Sequence, residues 1–347
     1  MGTQETEFTQ GTMVPIEAIQ VIEPEVVAKL PTETRVLTIA AHGVSFWTRT
    51  ARLDVEKDGI RKAYFLKTSS GELGKAMTSS EFQCMTKIRA AAPDFVPEAL
   101  AWGTYSSMPG VHFLLCEFRR MTGETPPPAA LAGKVAALHR ESRSDNDRFG
   151  SDVPTFHGNV RVDHGWSGSW EEYFARTTRV LLDLEGEARG TSEEIDEMTA
   201  PFFEKVMPRL LRPLELGDHS IKPSLIHGDL WHGNAETDAA TGLPIIFDAA
   251  SFYAHNEYEL GVWRQPWNKI NKTYREEYHK HFPKSWPEED WDDRNALYAI
   301  RVNILDSILY KDDPSYRDML VSGMRELIAK FPGGFEQWKS SRRNEDT

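Results

Sequence analysis

The chain has 347 residues, 40% of them hydrophobic and 10 of them Trp, enough apolar mass to build one large domain or two modest lobes. Its 53 acidic residues outnumber 40 basic ones for a formal charge of −13, so a long phosphate polymer meets net repulsion and nucleic acid is not an expected partner. No apolar stretch approaches the roughly 20 residues that cross a bilayer, and residues 1–10 lack the basic start and apolar run of a signal peptide, so no membrane partner and a cytoplasmic location are expected.

Residues 1–13 are polar and without periodicity and are read as a flexible leader. Within them, Met1-Gly2 with Thr6 fits the loose N-myristoylation pattern, but no polybasic cluster or nearby cysteine supplies a second anchor. From Arg35 the pattern is strand-like: Val36 to Ala41, Arg49 to Glu56, an Asp58-Gly59 turn of the type I′ kind, and Ala63 to Lys67. Ser79 or Ser80 is read as opening a helix that Pro93 ends, followed by strands over Glu98 to Thr104 and His112 to Phe118.

Thr122 to Pro128 is a Gly/Pro-rich connector, and most of the chain beyond it has helical spacing, which places a lobe boundary after Phe118. Ser169-x-x-Glu172 and Thr191-x-x-Glu194 read as capping boxes. Leu297, Ile300, Ile304, Leu305 and Ile308 form a core-facing stripe, and Ser224 to Ile226 and Pro244 to Phe247 are short strands that each run into an acidic segment. The expected layout is an N-terminal lobe over 14–118, a small antiparallel sheet with one main helix, then a larger, mostly helical lobe over 119–340 and a flexible tail at 341–347. Cys84 and Cys116 lie in apolar or mixed runs with no C-x-x-C spacing, as in a reducing compartment, where the Asn271-Lys272-Thr273 sequon goes unused.

The strongest chemical signal is His227-Gly228-Asp229-Leu230-Trp231-His232-Gly233-Asn234, which sets an Asn five positions after an Asp. Protein kinases use this spacing in their catalytic loop, where the Asp orients the attacking hydroxyl and the Asn reaches a metal on the nucleotide phosphates. A polar turn capped by Asp229 explains the segment taken alone. Asp248 follows 19 positions after Asp229, delivered by the apolar run Ile245-Ile246-Phe247. With Asn234 it makes a sufficient protein contribution to Mg²⁺, which takes one or two carboxylates plus substrate phosphates. Lys67 ends an apolar strand and is expected to neutralise phosphate charge, with Glu81, or in competition Glu72, as its partner. The nucleotide loop is the weakest element: Gly43 stands alone where a G-x-G-x-x-G match is absent, so backbone amides of Gly43 to Ser45 or a plain hairpin fit equally. Adenine contacts fall near Leu115 to Phe118, with Glu117 and Phe118 as the hinge candidates.

These residues resemble the fructosamine (ketosamine) kinases, relatives of aminoglycoside and choline kinases. The likeness spans Phe65-Leu66-Lys67, Leu131 to His139, Phe149-Gly150, Thr155 to Asn159, Trp170 to Phe174, His227 to Asn234 and Phe252 to Glu257. It implies a two-lobed α+β protein-kinase-like fold and ATP- and Mg²⁺-dependent phosphorylation of a ketosamine 3-hydroxyl, on a free amine or a glycated protein. By the same resemblance Asp229 is the base, Asn234 and Asp248 hold the metal, and Lys67 with Glu81 positions the phosphates. Trp231 would face the sugar or amine, unless it is an ordinary core Trp. His227 is grouped with it as a substrate-side residue that orients the loop, and His139 is expected to pack at a helix end. Two departures bear on nucleotide affinity: the Gly-poor loop, and Ala249-Ala250 after Asp248 where many relatives have Pro-Ala. A monomer or weak homodimer is expected. The competing readings are a kinase of another hydroxylated amine, a nucleotide-binding pseudokinase, and a hydrolase holding a transition metal on His227, Asp229, His232 and Asp248.

Overall fold

The computed structural model describes residues 14–43, 45, 47–142, 144 and 146–345. The leader and its Met1-Gly2 pattern lie outside the described residues. After a 3₁₀ turn at Ile16–Ile19 and the one-turn helix α1 (Pro24–Val27) come β1 (Arg35–Ala41), β2 (Arg49–Lys57), β3 (Ile60–Ser70), α2 (Gly71–Ala91), β4 (Ala99–Thr104) and β5 (Val111–Glu117). The strands form one antiparallel sheet in the order β1-β2-β3-β5-β4. Between β2 and β3 both Asp58 (φ 52°) and Gly59 (φ 75°) are left-handed, as a type I′ turn requires. Alternation along the strands sorts the two faces. Ala51, Leu53, Val55, Tyr64 and Leu66 pack against Val14, Ala18, Ile19, Val26 and Leu30 on the outer side. Phe65 and Lys67 point to the other side. The helix expected to open at Ser79 or Ser80 starts instead at Gly71, because β3 runs on to Ser70 and the helix follows it without any side-chain cap.

Beyond Phe118 the chain forms α3 (Pro128–Glu141), the short strands β6 (Phe149–Ser151), β7 (Thr155–His157), β8 (Val160–Val162) and β9 (Gly165–Ser167), and the helices α4 (Trp170–Arg189), α5 (Glu193–Pro201) and α6 (Met207–Leu211). Ser169 caps α4 by accepting from the Glu172 amide, as its spacing predicts, whereas α5 is capped by Ser192 rather than Thr191. Next come β10 (Ser224–Leu225), β11 (Ala235–Thr237), β12 (Pro244–Ile246) and β13 (Tyr253–Ala254), then a 3₁₀ segment at Asn256–Arg264 and α7 (Lys272–His279), α8 (Trp291–Leu309), α9 (Pro314–Lys330) and α10 (Gly334–Glu345). Residues expected in the flexible tail are thus helical through Glu345. The strands β10-β13-β6-β9 make a four-stranded sheet, and β11-β12 and β7-β8 are separate hairpins.

The core of this half is aromatic. Trp170, Tyr173, Phe174, Phe252, Tyr258 and Tyr298 pack together with Leu297, Ile300, Ile304 and Leu305 of α8, and the buried indole of Trp170 donates to Tyr298 Oη at 2.9 Å. Together the antiparallel sheet with its helix and the helical half give the two-lobed α+β arrangement of protein-kinase-like proteins. No helix among the described residues is long and apolar enough to cross a membrane.

Candidate active site

Four elements meet at one cavity of about 580 Å³: β3, α2, the β10–β11 loop and the residue just past Phe247 at the end of β12. Lys67 on β3 places its Nζ 2.7 Å from Glu81 Oε2 on α2 and 2.9 Å from Asp248 Oδ1. The contested partner is therefore Glu81, not Glu72. Burial works against the Lys67 charge, but Asp248 and Glu81 outweigh it and hold the ammonium above its ordinary range. Burial also pushes the Glu81 carboxyl up to about 7 against the pull of Lys67. Against its burial, the Asp248 carboxyl moves down, held below its ordinary range by the Lys67 ammonium.

The loop after β10 is held by its own polar atoms. Asn234 Nδ2 donates to Asp229 O at 2.9 Å and to Asp229 Oδ2 at 3.1 Å, which fixes the carboxylate and leaves the Asn234 Oδ1 free for a cation. His227 is fully buried, and its Nε2 donates to the Phe247 carbonyl at 2.9 Å while Nδ1 accepts the Asp229 amide at 3.3 Å. It therefore ties the Asp229 loop to the segment carrying Asp248. His227, grouped with the substrate residues by resemblance, does not line the cavity. The amides of His227 and Gly228 donate to Glu259 at 2.5 and 3.0 Å. Burial alone would raise the Glu259 carboxyl, yet the His139 ring 3.5 Å away and the His227 contacts hold it below the usual range. His139, packed in α3 and 2.8 Å from Tyr278 Oη, stays away from the cavity as expected.

Gly228 sits at φ 86°, and a Cβ there would lie 2.3 Å from the Ala250 carbonyl oxygen. Gly228→Ala is expected to lose about 1–3 kcal/mol from the left-handed backbone alone, with the loop displaced besides. Chemical denaturation together with a nucleotide-affinity measurement checks this; wild-type values for both would show that the loop tolerates the side chain.

Trp231 lines the cavity with Trp267, their ring centroids 6.0 Å apart at 77°. Gly43, Glu117 and Phe118 are not brought into it. The Glu117 amide is spent on Glu98 O and the Phe118 amide on Ala63 O, and the Glu117 carboxylate pairs with Arg119 at 2.9 Å. The Phe118 ring is covered by Arg52, 4.7 Å from its centroid, and by His42 at 4.9 Å. The transition-metal set does not assemble either: His232 bonds Asn268, and among the described residues no three His, Cys, Asp or Glu side chains converge as metal ligands.

A family model for fructosamine kinase matches residues 50–328. The chain belongs to the fructosamine kinase family. It is 28% identical over 259 residues to the mouse ketosamine-3-kinase, covering 68% of this chain and 79% of that protein. To the chloroplastic protein-ribulosamine 3-kinase of Arabidopsis thaliana it is 26% identical over 246 residues, 69% of this chain and 68% of the other. The crystal structure of a candidate fructosamine-3-kinase from Thermobifida fusca shares the fold at a TM-score of 0.66 and 20% identity, covering 85% of this chain and 94% of that one. The aminoglycoside phosphotransferase APH(4)-Ia, in a ternary complex with AMP-PNP and hygromycin B, shares the fold at a TM-score of 0.57 and 16% identity, covering 89% of this chain and 98% of its own.

Several cavity residues of this family member carry no motif-level signal. His157 reaches from β7 to within 3.5 Å of Asp229 Oδ1. It belongs to the Thr155 to Asn159 segment that carries family likeness, but nothing in the segment's composition indicates a neighbour of Asp229. Trp47, Asp306, Tyr310 and Tyr316 also line the cavity. Conversely, the aromatic residues of the Trp170 to Phe174 segment, Trp170, Tyr173 and Phe174, lie in the core, so that part of the likeness reflects how α4 packs.

Proposed function

We propose that this family member transfers the γ-phosphate of ATP to O3 of a ketosamine, a fructosamine or ribulosamine on a free amine or a protein lysine, as a deglycation activity in the cytoplasm. The observation that carries the reading is the convergence of Asp229, Asn234, Asp248 and Lys67 on one cavity. In this reading Asp229, held by Asn234, accepts the proton of the sugar hydroxyl as it attacks. Lys67 is a dry, permanently charged donor for the nonreacting phosphates, and Glu81 keeps it aimed at the cavity. The donor set suits a hard cation, since Asp248 and Asn234, a carboxylate and an amide, both line the cavity. When bound there, Mg²⁺ would neutralise phosphate charge. Trp231 offers an aromatic face to the sugar or amine. The relatives named as ketosamine and ribulosamine kinases support the substrate class.

Incubating the protein with Mg-ATP and ribulosyl- or fructosyl-lysine is expected to yield the 3-phosphate, detectable by phosphorus NMR and mass spectrometry. Failure with both ketosamines sinks the substrate assignment. A nucleotide-binding pseudokinase is the second reading, favoured by the His42 and Arg52 side chains that cover the Phe118 ring. Mg-ATP binding without turnover on any amine would support it.

A further inference from the structure

The phosphotransfer reading leaves one partly buried acid in the cavity without a task. Asp306 lies in the last turns of α8, whose residues Val302, Leu305 and Leu309 line the same cavity at spacings of three and four. Its Oδ2 is shielded from solvent and has no hydrogen-bond partner, and no ion pair to it occurs among the described residues. Burial and the nearby Asp229 carboxylate push this carboxyl up to about 8. A buried acid is ordinarily paired or absent, because desolvation without a partner is costly.

The surrounding surface shows what would relieve it. Tyr310 and Tyr316 line the cavity beside Asp306, their rings stacked 5.3 Å apart at 29°. Burial raises both phenols, and the Asp306 charge adds to the rise in each, so both rings lie within its field. A carboxylate beside aromatic rings is the chemistry that receives a substituted ammonium: the carboxylate accepts its N–H groups and the rings meet its charge. Asp306 lines the same cavity as Asp229, and the Asp229 charge adds to the rise of its carboxyl, so the two acids share one space.

We propose that Asp306, with Tyr310 and Tyr316, is the subsite for the protonated secondary amine of the acceptor, which sets the sugar chain with its reacting hydroxyl toward Asp229. The proposal rests on the ketosamine reading for the identity of the amine, but the cation site itself does not. An uncharged ketose leaves Asp306 unpaired, so the site selects amine adducts over free sugar.

The test compares two acceptors of equal length, an N-alkyl 1-amino-1-deoxyketose and its neutral 1-O-alkyl counterpart, in the wild type and in Asp306→Asn. The wild type is expected to prefer the cationic acceptor by about 30-fold in kcat/KM, and the variant to reduce that preference to about 3-fold, mainly through KM. Retention of the full preference in the variant, or proportional losses on both acceptors, overturns the proposal. Tyr310→Leu, at a half-exposed residue, reads the same preference in a second background should the first variant fold poorly. If the wild type phosphorylates neither acceptor, the ketosamine reading has failed. Calorimetric titration of the Mg-ADP complex with N-methylglucamine then decides the cation site, which stands if binding depends on Asp306 and falls if it does not.

Discussion

Asp229→Asn is expected to lower kcat on a ketosamine by about 10²- to 10⁴-fold, the range for removing a general base. The substitution is close to isosteric. An asparagine at 229 keeps an oxygen to accept from Asn234 Nδ2, now at 3.1 Å, and its backbone carbonyl still takes the second Asn234 contact at 2.9 Å. The loop geometry should therefore survive, and with it Mg-ATP affinity and thermal stability. The expected loss is confined to the carboxylate proposed to take the hydroxyl proton. His157, 3.5 Å from Asp229 Oδ1, has no reason to substitute for it without a move toward the acceptor. Single-turnover measurement with saturating Mg-ATP separates the chemical step from product release. A wild-type rate in the variant would remove Asp229 from the role of base.

How far the sequence speaks for this site depends on whether the signal is local. Asp229 and Asn234 lie in one loop, and Asp248 ends an apolar strand, so spacing alone brings them into view. Lys67 and Glu81 are 14 positions apart across a strand and a helix, so the sequence offers the pair but also leaves Lys67 readable as a solvated strand end and Glu72 as a rival partner. Asp306 differs in kind. It sits in α8, a helix buried on most sides whose Leu297, Ile300 and Ile304 join the core, and nothing local reveals that another part of its surface walls a cavity. The helix start at Gly71 is hidden for a related reason, since a capping Ser or Thr gives no signal where a strand passes directly into a helix. The adenine hinge is legible only by analogy of position, and the structure shows the Glu117 and Phe118 amides already consumed by neighbouring strands and loops. Family likeness gives no warning of this, because it records side chains while the hinge is a matter of backbone.

Glu257→Gln is expected to destabilise the protein by about 3–5 kcal/mol, the cost of breaking a buried ion pair from one side. Glu257 and Arg294 are buried to within 1% of full enclosure. The carboxylate accepts from Arg294 Nε at 2.9 Å and from the Ser285 amide at 2.7 Å, while Arg294 also donates to the carbonyls of Ser285 and Pro287. Neutralising Glu257 leaves a guanidinium in the interior facing only dipoles. Burial opposes ionisation of Glu257, but Arg294 holds its carboxyl below the ordinary value of 4.5. A depressed folded-state pKa contributes stability above the unfolded value, and that contribution is lost as pH falls through the folded one. The wild type should therefore lose this increment in acid below pH 4.5, and the variant should show a flatter acid limb. Urea titrations at pH 7 and at pH 4 measure both effects. Because Arg294 lies on α8, the helix that carries Asp306, loosening this pair should also weaken acceptor binding before it weakens Mg-ATP binding. Glu257→Leu combined with Arg294→Met removes both charges and is expected to be more stable than Glu257→Gln, since the penalty comes from the stranded cation rather than from the missing attraction. If the double variant proves no better, the arginine's bonds to the Ser285 and Pro287 carbonyls, and not its charge pairing, are what anchor α8.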